Sequence, residues 1–218
     1  MNIQDAHIYP YIKNYLDRIP VATFKKGTYF SKAENRDNQI YYILSGNVNV
    51  ESFSEMGKKV LVDSISENEF AGQISYIRQS NFYCNSLAVT DVKMLCLKED
   101  LMSILMKNLE FSTVFYFKTS SRIYIMYKKM LMNSLFSQCE LVAYYIIDNS
   151  HKGQFVYKSI YDICEKLNIS RRSFYNIINK FVELKVLEKG SDCIYFVKDD
   201  NYLIEKSDNV KRFMENTY

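Results

Sequence analysis

The 218-residue sequence predicts an α+β chain in three parts: an N-terminal β-barrel, a long helix and a C-terminal winged helix-turn-helix. Three observations predict it. Short apolar segments with a period of two run from Val21 to Leu97. A heptad-like apolar series follows Lys98. Two helix starts lie eleven residues apart, at Ser159 and Ser170, and a hairpin pattern comes after them. These place the barrel domain at 1–98, a helical section at 99–136 and the winged helix at 137–218.

Residues 1–19 read as a short helical lead-in, with Ile8, Tyr11, Ile12, Tyr15, Leu16 and Ile19 as its apolar positions. The β segments are Val21–Phe24, Ile40–Leu44, Val48–Phe53, Val60–Val62 and Leu87–Val89. Gly27, Ser45-Gly46, Glu55-Met56-Gly57 and Ser66-Glu67-Asn68 punctuate them as turns. Many short strands at this spacing argue a sandwich or barrel.

The helical section starts at Lys98. Leu105, Leu109, Ser112, Tyr116, Thr119, Ile123, Met126 and Met130 step alternately by four and three. That is a seam for a second helix, and small Ser112 and Thr119 suit a close approach. The dimer-interface candidates are therefore Leu109, Ser112, Tyr116, Thr119, Ile123, Met126 and Met130. The plainer reading is a core helix within one subunit. Further apolar residues on the other faces require cover on several sides.

Ser137-Gln138-Cys139-Glu140 is a capping box that opens an amphipathic helix through Leu141, Val142, Tyr145 and Ile146. Ser159 with Asp162 makes a similar start, and Ser170 caps the next helix. Ile160, Ile163, Cys164 and Leu167 share one face of the first helix, and Phe174, Ile177, Ile178 and Phe181 one face of the second. Leu167-Asn168-Ile169-Ser170 is the turn between them. Val186–Lys189, a Gly190-Ser191-Asp192 turn and Cys193–Val197 complete a wing, and Asp199 to Tyr218 reads as a short helix with a mobile end.

The second helix carries Arg171, Arg172, Tyr175, Asn176, Asn179 and Lys180 on its polar face, with no acid before Glu183. Arginine reads guanine and asparagine reads adenine through paired hydrogen bonds in the major groove. Ser170 and the free amides of the first turn suit a phosphate. The DNA-binding candidates are Ser170, Arg171, Arg172, Tyr175, Asn176 and Lys180. The bland alternative is a solvated basic face. Net charge is only +3, and His151 to Val197 holds eight Lys or Arg against five Asp or Glu. Any nucleic-acid surface is then a local patch.

The polar, mixed start predicts no signal peptide, and no apolar run approaches transmembrane length, so a cytoplasmic protein is expected. Five cysteines without CxxC spacing read as reduced packing residues. No metal or other cofactor is expected. An enzyme is the first rival reading, but His7 and His151 are the only histidines and neither lies in the barrel segment. No Gly-rich phosphate loop appears.

The order of parts resembles the Crp/Fnr superfamily of bacterial transcription regulators. Its best-matching segments are Tyr41 to Val48, with its glycine turn, Leu87 to Val92, and Ile169 to Asn176. The resemblance covers nearly the whole chain. It implies a cyclic-nucleotide-binding-like jelly roll as effector domain, a dimerisation helix, and a homodimer whose winged helices enter successive major grooves of an inverted-repeat operator. Double-stranded DNA is the implied partner, with RNA polymerase and an unidentified small-molecule effector as further candidates and no membrane. Many members read S-R-x-T-V-x-R in the recognition helix. Here Arg171 keeps the first arginine, Arg172 replaces a common glutamate and Asn176 the second arginine, so base preference should differ. Lys185 stands where the family often has glycine.

In cyclic-nucleotide members a Gly-Glu pair holds the ribose and an Arg-Ser pair the phosphate. The corresponding residues are Gly72-Gln73 and Phe82-Tyr83. Without a cation the buried phosphate charge would stay uncompensated, so cyclic AMP is not expected to bind. Phe70, Gly72, Gln73, Tyr76, Phe82 and Tyr83 are the effector-pocket candidates. Their aromatic rings could hold an apolar ligand or simply fill the space. The second rival reading is a dimeric ligand-binding or scaffold module whose helix-turn-helix contacts protein.

Overall fold

The strands expected between Val21 and Leu97 form two four-stranded antiparallel sheets in the computed structural model, which describes residues 2–31, 39–57, 59–78 and 84–215. The helical lead-in is broken into a 3-10 turn at Ile3–Asp5, α1 (Tyr9–Ile12) and a 3-10 segment at Lys13–Arg18. Then come β1 (Val21–Phe24), β2 (Tyr29–Ser31), β3 (Ile40–Ser45), β4 (Val48–Phe53), β5 (Lys59–Ile65), β6 (Phe70–Ala71), α2 (Gln73–Arg78), β7 (Cys84–Ala88) and β8 (Val92–Leu97). One sheet has the order β1-β8-β3-β6, the other β2-β7-β4-β5.

Tyr41, Ile43, Ala71, Met94 and Cys96 of the first sheet meet Val48, Ile65 and Ala88 of the second in a common interior. The opposite face of the first sheet presents Ile40, Tyr42, Leu44, Phe70, Leu95 and Leu97 to helices. Both faces of β3 and β8 are thus covered, which explains their continuous apolar runs. At Gly46 φ is +92°, and a Cβ would stand 2.3 Å from the Asp91 carbonyl oxygen. Glycine is required there by both the backbone angle and the approach of the β7–β8 turn.

α3 (Glu99–Leu105) and α4 (Leu109–Leu135) divide the helical section. The expected single helix is interrupted because Asn108 Oδ1 accepts the Phe111 N–H and starts α4 afresh. Leu105 therefore belongs to α3. The chain divides into two compact units, Met1–Met126 and Tyr127–Tyr218.

The second unit contains α5 (Gln138–Asp148), β9 (Ser150–His151), β10 (Gln154–Val156), α6 (Ile160–Leu167), α7 (Arg171–Glu183), β11 (Leu187–Lys189), β12 (Ile194–Val197) and α8 (Asp200–Glu215). Ser137 and Glu140 form the reciprocal capping box of α5. That hydrogen bonding holds the Glu140 carboxyl below its ordinary range. The wing sheet has the order β11-β12-β10-β9, so a short hairpin precedes the helix-turn-helix as well as following it. α8 is longer than expected. Its sixteen residues bury Leu203, Ser207 and Val210, and Asp199 Oδ1 accepts the Tyr202 N–H at its start.

Candidate nucleic-acid interface and effector domain

The helix-turn-helix is set by two Ser caps and one left-handed residue. Ser159 Oγ accepts the Asp162 N–H, and Ser170 Oγ accepts the Ser173 N–H at 3.0 Å. Between them Asn168 has φ +50°, the Ile169 N–H donates to the Cys164 carbonyl, and Ile169 is buried. This is a Schellman stop, and it turns the chain from α6 into α7. The far end of α7 stops in the same way. Lys185 has φ +59°, with Val186 N–H to the Phe181 carbonyl and Lys185 N–H to the Val182 carbonyl. A lysine therefore occupies a glycine-like position, and the helix C-terminus is defined despite it.

Phe174, Ile178 and Phe181 are fully buried in the core of this unit. Around the rest of the helix and at its cap, Ser170, Arg171, Arg172, Tyr175, Asn176, Asn179 and Lys180 are all exposed. All six DNA-binding candidates are thus exposed to solvent. The Ser170 hydroxyl is already occupied by its cap. Arg171 Nη1 donates to the Tyr161 hydroxyl at 2.9 Å, and its guanidinium lies 4.7 Å from that ring's centre. Tyr175 shares a hydrogen bond with Tyr157, whose phenol is pushed well above its ordinary range by burial and by that bond. Tyr157 also stacks on Tyr195 of the wing. Tyr161 and Tyr157 were not legible as parts of this surface, because neither lies on the recognition helix.

In the first unit the effector-pocket candidates separate. Phe70 is fully buried and its ring meets Tyr42, Phe111 and Phe115 edge-on. Tyr76 packs on Phe115 too. These two rings fill the space beneath α4. Gly72 has φ +88° and Gln73 is buried at the start of α2. Phe82 and Tyr83 lie outside the described residues.

Charges that the sequence did not single out gather nearby. Arg122 of α4 donates from Nε and Nη2 to Asp63 Oδ2 of β5, and from Nη2 to the Ser64 carbonyl at 2.9 Å. Both side chains of the pair are about nine-tenths buried. Lys118, one turn earlier, reaches Glu69 at 3.1 Å. Glu51 is fully buried on β4 and is met by Lys59 Nζ at 3.0 Å and the Tyr29 hydroxyl at 2.7 Å. A signal was present: Lys118 and Arg122 are cations four apart on an apolar helix, hence on one side of it. A cleft of about 460 Å³ runs beside them between Glu69 and Phe117.

Of the expected seam residues on α4, Leu109, Tyr116, Ile123 and Met130 are exposed, while Ser112 and Met126 are half-buried. Thr119 is 2% exposed and its hydroxyl donates to the Phe115 carbonyl. Among the described residues no group of three or more His, Cys, Asp or Glu could hold a metal ion, and no helix is long and apolar enough to cross a membrane.

Residues 21–108 match the cyclic nucleotide-binding domain family. No curated protein matches the sequence. Solved structures resemble nearly all of it at low identity. A transcriptional regulator described as Crp/Fnr family from Eubacterium rectale is 14% identical with a TM-score of 0.70, over 91% of this chain and 94% of that one. The c-di-GMP-responsive global regulator CLP of Xanthomonas campestris is 13% identical with a TM-score of 0.72, over 87% and 99%. A Crp/Fnr-family transcriptional regulator from Thermus thermophilus is 15% identical with a TM-score of 0.61, over 87% and 98%. The barrel thus matches the cyclic nucleotide-binding domain family over residues 21–108, and the chain has the fold of solved Crp/Fnr-family transcriptional regulators.

Proposed function

We propose that this protein is a sequence-specific DNA-binding transcription regulator that acts as a homodimer on an inverted-repeat operator. One observation carries the reading: Arg171, Arg172, Tyr175, Asn176 and Lys180 are all exposed along α7, which is anchored by its buried Phe174, Ile178 and Phe181. A helix anchored in that way offers two arginines and an asparagine to base edges without unfolding anything. Selection of bound duplexes from a random DNA pool tests it. A palindromic consensus is expected; recovery of no enriched sequence would overturn it. The same reading assigns no catalysis to the chain, takes RNA polymerase and a small effector as further partners, and locates it in the cytoplasm.

For the dimer, the exposed apolar row Leu109, Tyr116, Ile123 and Met130 is the surface that a second copy would cover. Ile123→Glu is expected to shift the protein towards monomer in sedimentation at micromolar concentration. An unchanged mass would remove Ile123 from the interface.

Cyclic AMP is not the effector in this reading. Gln73 is neutral, and the cations that α4 directs at the barrel, Lys118 and Arg122, are already held by Glu69 and Asp63. A phosphodiester would have to displace one of them. Calorimetric titration with cyclic AMP is expected to give no binding heat, and micromolar affinity would refute this.

A further inference from the structure

Tyr161 is the second residue of α6, ten positions before Arg171, and it is 61% exposed. Its hydroxyl accepts a hydrogen bond from Arg171 Nη1 and its ring lies beneath the guanidinium. A surface tyrosine with so little buried area does little for folding. The contact instead restricts one of the two arginines of the recognition helix. Arg171 stands at the first position of α7, where a side chain is free to sample many rotamers. With Nη1 and one face occupied, the Nε–Nη2 edge remains as a pair of parallel donors.

We infer that Tyr161 is a positioning residue for base recognition: it holds the Arg171 guanidinium in one orientation, so that its Nε–Nη2 edge can make a paired hydrogen bond to a guanine. The inference rests on the DNA-binding reading above and adds to it a residue outside the recognition helix. The geometry supports ordering over sequestration, because the contact uses a single terminal nitrogen and leaves a complete donor edge free. The turn that relates the two residues is stiff. Asn168 closes α6 in the left-handed conformation and buried Ile169 anchors the link, so the ring and the arginine stem keep a fixed spacing. Ordering an arginine before association removes a cost that it would otherwise bear on binding.

The test uses the full chain and two duplexes of equal length, one selected from the random pool and one of scrambled sequence, with binding read by fluorescence anisotropy. Tyr161→Ala is expected to weaken the selected duplex by about three- to tenfold, the size for ordering one long side chain, and to leave the scrambled duplex unchanged. Tyr161→Phe keeps the ring and loses the hydroxyl, so its loss should be smaller. In an Arg171→Ala background Tyr161→Ala should do nothing further, and both single variants should relax the same base position. Tighter binding by Tyr161→Ala would show a latch and overturn the inference. Equal losses on both duplexes, or losses that simply add to those of Arg171→Ala, would overturn it too. If Arg171→Ala leaves the selected duplex unaffected, base reading by Arg171 itself falls, a result distinct from any outcome at Tyr161. Circular dichroism of each variant checks that the fold is intact.

Discussion

Replacing Arg122 by alanine is expected to destabilise the N-terminal unit by about 3–5 kcal/mol, the cost of leaving one member of a buried ion pair alone. The Asp63 carboxylate loses both guanidinium hydrogen bonds in that variant while staying about nine-tenths buried, and the Ser64 carbonyl loses its donor. The loss should be local to the unit that contains β5 and α4 as far as Met126. Because the chain has two units, one unfolding midpoint is not a sufficient readout. Hydrogen exchange of the β5 amides under native conditions is the direct measurement, and protection should fall by orders of magnitude there with little change in α5 or α7. Unchanged exchange in β5 would mean that the pair contributes nothing. The reciprocal control is informative: replacing Asp63 and Arg122 together by apolar residues of similar volume should recover most of the loss, since the pair's removal leaves no orphan charge.

The second large effect concerns DNA. Arg171→Ala should cost about 1–3 kcal/mol on a specific duplex, about five- to 150-fold in affinity, and relax one base position. Its effect on random DNA should be much smaller, and the fold should be unaffected because the side chain is exposed. Lys180→Ala is the contrast. It lies two turns further along α7, where a phosphate contact is the simpler role, so it should weaken both duplexes alike and reduce the salt dependence by about one phosphate. Equal losses on specific and random DNA for Arg171→Ala would count against base reading. A binding constant indifferent to salt would favour a protein-contact role for the whole helix-turn-helix.

The parts of the fold that were legible are those where local chemistry and burial agree. Ser137, Ser159 and Ser170 mark helix starts with side chains that can reach only nearby backbone amides, and all three act as caps. β1 and β4 begin and end as the apolar pattern suggested. β6, β9 and β10 span two or three residues each, too few for a period to register. β8 escaped for the opposite reason. It is apolar on both sides because helices cover one face and the second sheet the other. The break at Asn108 was hidden because the apolar steps continue across it, and a single Asn side chain decides it.

The polar face of α7 was readable because period and charge coincide within thirteen contiguous residues. The seam on α4 was only half so. Thr119 fits the heptad as well as Ile123 does, yet it faces its own core, since a helix that is apolar on every side does not reveal by spacing which side meets what.

What the sequence determined alone were the local commitments: where the serine-capped helices start, which residues of α7 are cationic, and that the chain turns at Ser45-Gly46. Each depends on neighbours within a turn or a strand step. The pairing of Arg122 with Asp63, of Lys118 with Glu69 and of Arg171 with Tyr161 was decided only in the folded chain. Charge and ring contacts are made by whatever the backbone brings within a few ångströms, and separations of 59, 49 and 10 residues carry no periodic mark of that meeting.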